Sequence, residues 1–371
     1  MKIVCSKKIL VNKIGIAQKG ISAKTNLDTL KNLILEASGN ELVITGYDLD
    51  LGVLASMEAE VETSGKVAIN AKLFGEIVRK LPLDILSLEY ISDGNKLLIS
   101  SGKSTFQIVA GNLEDYPALP KITDGSSFKL SSKEFKSMIN MTKMALSQDN
   151  TKPILTGALM EIDTNSVNMV SLDGYRLAVS KNSLDTGIGS LKKIIIPGRT
   201  LNDLSSALGS EELEIEFTVD EKYISAQFNG AKFISRLIEG TYIDYSKLLP
   251  AEYKTKIIVN RVEFLNAIDR ATILAVHEKN SLVKFSITDE FIQATSNTDV
   301  GDLSEQVNIT KEGESLNIAF NSRYLTEALK AMSSEEVSLS FTTSLNPCII
   351  HPLDESDYLH LLLPIRLTSK M

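Results

Sequence analysis

SLDGYRLAV, residues Ser171 to Val179, reads as a β-hairpin: an apolar strand, a turn at Asp173-Gly174, and a second strand carrying Leu177 and Val179. Related stretches stand before and after it at an equal interval. TGYDLDLGV places Asp48 where Asp173 stands, and SNTDVGDLS places Thr298 there, each 125 residues away. Such a period divides the chain into repeated units, and every later step of the reading depends on it.

A chain of 371 residues with that period holds three domains, expected at 1–124, 125–250 and 251–371. Each is large enough to bury its own core. With 43% apolar residues, 23% charged residues and no tryptophan, the composition is that of an ordinary soluble globular protein. No apolar run approaches the roughly 18–20 residues that span a bilayer, so no membrane association is expected. The opening MKIVCSKKILVNK interleaves lysines with apolar residues and does not read as a signal peptide. Cys5 and Cys348 lie far apart with no CxxC spacing, which points to reduced thiols and a cytoplasmic location. A net charge of −8 argues against a protein that simply coats nucleic acid, while leaving room for a basic surface on one face.

The repeat extends beyond the hairpin. Each third opens with a strand and a helix, the helices expected at Leu10–Gln18, Ser132–Leu146 and Arg261–Ala275. In the last two, Phe135, Met138, Met141 and Ala145, and then Phe264, Ala267, Ala271 and Leu274, recur at helical spacing. A second helix follows each hairpin: NAKLFGEIVRKLP from Asn70, PGRTLNDLSSALG from Pro197 and NSRYLTEALKAMS from Asn321. Alternating strands complete each unit. Linkers are expected at EDYPALP, Glu114 to Pro120, and IDYSKLLP, Ile243 to Pro250. The fold class is α+β: three repeats, each with two helices packed on antiparallel sheets.

The residues offer no convincing catalytic constellation, metal set or cofactor site. His277, His351 and His360 lack HExxH spacing and have no GxSxG elbow to serve. SSGKST, Ser100 to Thr105, resembles the end of a phosphate loop, but Leu97 stands where a glycine is needed and FQIVAG reads as a strand. Asp48 and Asp50 lack a third ligand at useful spacing and read as turn formers. What remains is a set of basic residues on the helices and an apolar surface. Lys72, Arg79, Arg199 and Lys330 sit on the second helices, a distribution suited either to a solvated face or to a phosphate backbone. Few aromatics interleave with them, so stacking on single-stranded bases is not expected. The chain ends in LHLLLPIRL, read as a strand with Pro364 and Arg366 embedded in it. Beside the Tyr175-Arg176 turn such a segment makes either core or a peptide-binding groove.

DGYRLA in the middle repeat, DYSKLLP closing it and LPIRL at the end together resemble the β sliding clamp family of bacterial replicative DNA polymerase, over Met1 to Leu367. The resemblance implies a non-enzymatic, cofactor-free homodimer: six domains in a ring, helices lining a hole through which duplex DNA passes. It further implies a pocket for short linear motifs from polymerase, clamp loader and repair proteins. Carried onto this chain, the pocket falls on Leu155, Leu172, Gly174, Tyr175, Arg176 and Leu177. It continues through Ile243, Lys247 and Leu248, then Asn321, Tyr324 and Leu345, and closes with Leu361, Leu363, Pro364, Ile365 and Arg366. The ring interface is expected to set Phe106 and Ile108 against Ile273 and Leu274 of the other chain. Lys24 and Gln148 stand where the family touches DNA from loops, with Lys72, Arg79, Arg199 and Lys330 as inner-helix candidates.

Some positions depart from the pattern. KTNLDTLKNLILEA lacks the prolines expected in that turn, Ile243 replaces a proline, and Leu363 and Ile365 replace methionines, which makes for a stiffer pocket. Thr368 to Met371 run past the usual end. Two rivals remain at this level: a monomeric three-domain interaction scaffold that never encircles DNA, and a nucleotide-dependent enzyme built on Gly102-Lys103-Ser104.

Overall fold

A computed structural model describes residues 1–22, 25–276, 281–354 and 357–366. Six α-helices lie among them: α1 (Lys7–Ala17), α2 (Ala71–Lys80), α3 (Ser132–Thr142), α4 (Gly198–Ala207), α5 (Arg261–Ala275) and α6 (Ser322–Lys330). Asparagines start three of them. The Asn70 side chain accepts from the Leu73 amide, Asn260 from Val262 and Glu263, and Asn321 from Arg323 and Tyr324, each meeting donors that a helix start leaves free. The expected helix over 132–146 is shorter than its apolar spacing suggested. It gives way after Thr142 to a 3₁₀ turn, Lys143–Ala145. Buried Thr142 donates its hydroxyl to the Met138 carbonyl at 2.8 Å and takes φ −118°, which breaks the α ladder.

The three repeated turns share one chemistry. Asp48 Oδ1 accepts from the amides of Asp50 and Leu51, Asp173 Oδ1 from Tyr175 and Arg176, and Thr298 Oγ1 from Val300. An oxygen-bearing side chain at the first turn position substitutes for backbone pairing, which is why the repeat preserves Asp, Asp and Thr there. Gly102-Lys103 closes a hairpin between Lys96–Ser101 and Ser104–Val109, so no helix follows the GKST string.

Among the described residues all strand pairs are antiparallel, in three sheets. The first has five strands and ends on Ser104–Val109. The second has eight, and joins Ala231–Arg236 of the middle repeat to Leu51–Glu58 of the first, with Ala231 opposite Ala55. The third has twelve, and joins Arg176–Ser183 to the terminal strand Tyr358–Leu362, with Leu177 opposite Leu361. The middle repeat thus lends strands to both of its neighbours' sheets.

The chain forms two compact units, Met1–Lys133 with Arg199–Leu237, and Glu134–Gly198 with the described part of Ile238–Met371. In the first, α1 and α2 pack together over a core that includes Ile3, Leu10, Ile14 and Phe74. In the second, α5 and α6 pair over Phe264, Phe285 and Phe320, with the Phe264 and Phe285 rings edge to face at 5.7 Å. Both free thiols are buried, and burial pushes the Cys5 thiol up to about 12.

Candidate functional site

The central hairpin separates two neighbouring side chains by turn geometry. Gly174 adopts φ +94°, a conformation that L residues rarely take, and the chain then throws Tyr175 outward, 62% exposed, while folding Arg176 inward. Arg176 is held on three sides. Its Nε donates to Asp173 Oδ2 at 3.0 Å, its Nη1 to Glu327 Oε2, and its guanidinium carbon stands 4.3 Å from the centroid of the Tyr324 ring. Tyr175 stacks on the other partner of that contact, with centroids 6.2 Å apart. Burial of Glu327 opposes its charge, but bonds from Arg323 and Arg176 outweigh it and hold the carboxyl below its ordinary value.

Beneath this polar cluster lies an apolar one. Leu155, Leu172, Leu177 and Leu361 are packed together with Leu159, Val170, Val179, Ile195 and Ile349. Leu155 arrives from a 3₁₀ turn, Pro153–Thr156, and the other three from paired strands. The linker closes one side. The Leu172 amide donates to the Tyr242 hydroxyl at 3.2 Å, and the Tyr245 hydroxyl donates to Glu161 Oε2 at 2.7 Å, where Lys193 also pairs at 2.7 Å. Ile243 and Leu248 remain exposed on that linker, and Lys247 pairs with Asp244 at 2.9 Å.

The chain end departs from expectation. The terminal strand stops at Leu362, and Pro364 and Arg366 lie beyond it. The Leu363 amide still reaches the Tyr175 carbonyl at 2.9 Å, but Pro364 has no amide to continue the ladder, and the Ile365 amide turns to the Ala319 carbonyl at 2.8 Å. Leu363 is 39% exposed beside Tyr175, Pro364 and Ile365 are half-buried, and Arg366 is exposed. Asn321 is the cap of α6, and Leu345 stands exposed on the turn after Glu336–Phe341. Asp173, Tyr242, Tyr245 and Glu327 complete the site and escaped the residue-by-residue reading. The DY pair of the linker was a signal for Tyr245; Glu327 had only its helical spacing from Arg323, with which it pairs at 2.8 Å.

The other candidates differ in how far they are engaged. Lys72, Arg79 and Gln148 are exposed. Arg199 is engaged: it pairs with Asp48, whose side chain is almost fully buried, and with Asp203 at 3.5 Å, and it donates to the Lys19 carbonyl at 3.0 Å. Lys330 lies 3.5 Å from Asp269. Lys24 lies outside the described residues, as do His277 and Thr368 to Met371. Of the residues named for an interface, Phe106 and Ile273 are exposed and Leu274 is half-buried, but Ile108 is 8% exposed and packed in the core of its own unit.

Family models of the DNA polymerase III beta subunit match most of the chain: the N-terminal domain over residues 1–120, the central domain over 129–244 and the C-terminal domain over 246–366. The chain belongs to the DNA polymerase III beta subunit family. The three repeats are its three clamp domains. The beta sliding clamp of Bacillus subtilis is 32% identical, with 99% of this chain and 100% of the relative covered. That of Staphylococcus epidermidis is 31% identical, with 99% of each covered. Among crystal structures, the DNA polymerase sliding clamp from Bacillus subtilis matches with TM-score 0.96 and 31% identity, covering 99% of this chain and 100% of that one. A DNA polymerase III beta subunit from Eubacterium rectale, so described as putative, matches with TM-score 0.94 and 31% identity over the same shares. The sheets run from the central domain into both of the others, at Ala231 opposite Ala55 and at Leu177 opposite Leu361. Among the described residues, no helix is long and apolar enough to cross a membrane, and no group of three or more His, Cys, Asp or Glu side chains is placed to hold a metal ion.

Proposed function

We propose that this sliding clamp works as a head-to-tail homodimer in the cytoplasm, a six-domain ring that encircles duplex DNA and tethers the replicative polymerase without catalysing a reaction. The domains are taken as 1–124, 125–250 and 251–371. The observation that carries the reading is the way sheets pass between repeats, Ala231 against Ala55 and Leu177 against Leu361, while Ser104–Val109 pairs on one side only and leaves its other edge without a strand among the described residues. An open edge bearing exposed Phe106 and Val109 is a template for another strand, and a second chain is its natural occupant. Ile273, 68% exposed on α5, supplies an apolar counterpart. Phe106, Ile273 and Leu274 are the interface residues we retain, with Ile108 supporting them from the core.

The apolar floor of Leu155, Leu172, Leu177 and Leu361, rimmed by Tyr175, Arg176 and Tyr324, suits an extended peptide with apolar anchors. Short motifs of polymerase, clamp loader and repair proteins are the occupants proposed, with Ile243, Leu248, Leu345 and Leu363 as exposed walls. Lys72, Arg79, Gln148, Lys330 and Lys24 are proposed to meet the DNA backbone without reading bases; Arg199, its charge offset by Asp48 and Asp203, is not retained among them. Light scattering across a dilution series tests the assembly. A mass of twice the 40.6 kDa chain, persisting on dilution, supports the ring. A monomer at all concentrations contradicts it and favours the scaffold reading.

A further inference from the structure

The eight-stranded sheet of the first unit has a second face. Along Asn32–Ser38, Leu33, Leu35 and Ala37 enter the core, so Ile34, Glu36 and Ser38 point the other way. Register places Glu36 opposite Val43, and Thr45 opposite both Ile34 and Leu54, on that same face. A sheet with one solvated face carries polar side chains there, yet this one centres Ile34, Val43 and Leu54. The segment bearing Leu113, Pro117 and Leu119 covers them only in part, leaving a cavity of about 610 Å³. That volume falls in the range of roughly 300–1,000 Å³ seen for ligand sites.

The rim is acidic. Glu36 is matched by Lys66 at 3.1 Å, but Glu41 makes no ion pair among the described residues and stands directly opposite Glu58 in the ladder. Like charges facing across strands are unfavourable, and a cation placed between them relieves the repulsion. We infer that this cavity is a docking site for a short peptide that carries a large apolar side chain next to arginine or lysine. The apolar group enters between Ile34, Val43, Leu54 and Leu119, and the cation lies at Glu41. An extended peptide fits better than a compact ligand because the lining runs across four strands and along a linker. The site shares no residue with the Tyr175–Leu361 groove and does not depend on how that groove is read.

Fluorescence anisotropy of labelled Leu-Phe-Arg-Lys against the full chain tests this, with Leu-Phe-Asp-Glu and Gly-Gly-Arg-Lys as controls. With Tyr175→Ala in place to weaken capture of apolar anchors at the proposed groove, only the first is expected to bind, and about tenfold more weakly once Leu54→Asp is added and several-fold more weakly with Glu41→Lys. Equal binding of a control, full binding to Leu54→Asp, or loss of binding with Tyr175→Ala overturns the proposal. A change of assembly mass in Leu54→Asp assigns the face to a second copy of the chain and also overturns it. Glu41 is exposed, so Glu41→Lys decides alone if Leu54→Asp does not fold.

Discussion

Arg176 and Tyr324 meet with the guanidinium carbon 4.3 Å from the ring centroid, and the same guanidinium binds Asp173 and Glu327. One side chain therefore ties the central hairpin to the last helix of the third domain. Arg176→Lys keeps the charge but loses the fork that reaches two carboxylates and the planar face over the ring. Its expected cost is about 1.5–3 kcal/mol, read as a fall in melting temperature against wild type. No change in melting temperature would show the network to be dispensable.

Tyr175→Ala separates binding from folding. Tyr175 is 62% exposed, so the variant is expected to keep its melting temperature while weakening capture of a polymerase-derived peptide about tenfold. Leu177→Ala does not separate them. Leu177 is 1% exposed inside the apolar cluster, and the truncation is expected to cost about 2–5 kcal/mol through the cavity it leaves. Normal peptide affinity in Tyr175→Ala, measured by surface plasmon resonance, would move the binding site elsewhere.

Much of this was legible in the chain. The shared turn chemistry of Asp48, Asp173 and Thr298 is local, and so are the Asn caps and the helical spacing of Phe264, Ala267 and Ala271. Such features are written within a few residues and survive folding. Burial and pairing across the sheets are not local. Ile108 looks like Phe106 in sequence, yet one is core and the other exposed. Arg199 reads as a free cation on a helix, and only the fold brings Asp48 beneath it. The end of the terminal strand is not legible because the apolar run continues through Ile365, whereas Pro364 has no amide to extend the ladder and the Ile365 amide turns to Ala319.

His360 gives the pH dependence a definite sign. Its burial, and secondarily the charge of Arg176, lower its pKa from 6.5 to about 3. The unfolded chain takes up a proton below about pH 6.5 that the folded chain refuses until about pH 3. Stability contributed by the neutral ring is therefore present above 6.5 and lost as pH falls through that window, by about 1.4 kcal/mol per unit at most. His360→Gln is expected to flatten this part of the melting-temperature profile between pH 6.5 and 4. An unchanged profile would place the dependence on other groups.

Charge reversal distinguishes candidate DNA contacts from structural ion pairs. Lys72→Glu with Arg79→Glu, both exposed, is expected to leave melting unchanged and to reduce the salt dependence of DNA binding. Arg199→Glu sets a carboxylate against buried Asp48 and is expected to lower the melting temperature instead. Calorimetry and salt-titrated retention read the two effects separately. Equal destabilisation by both changes would undo the distinction.

The central claim, that the protein holds DNA by encircling it, is tested most directly by loading it onto a nicked circle with its clamp loader and cutting the circle once. Linearisation is expected to release the protein within minutes, at salt concentrations that leave it on intact circles. Equal persistence on circular and linear DNA would contradict encirclement and leave binding by affinity alone.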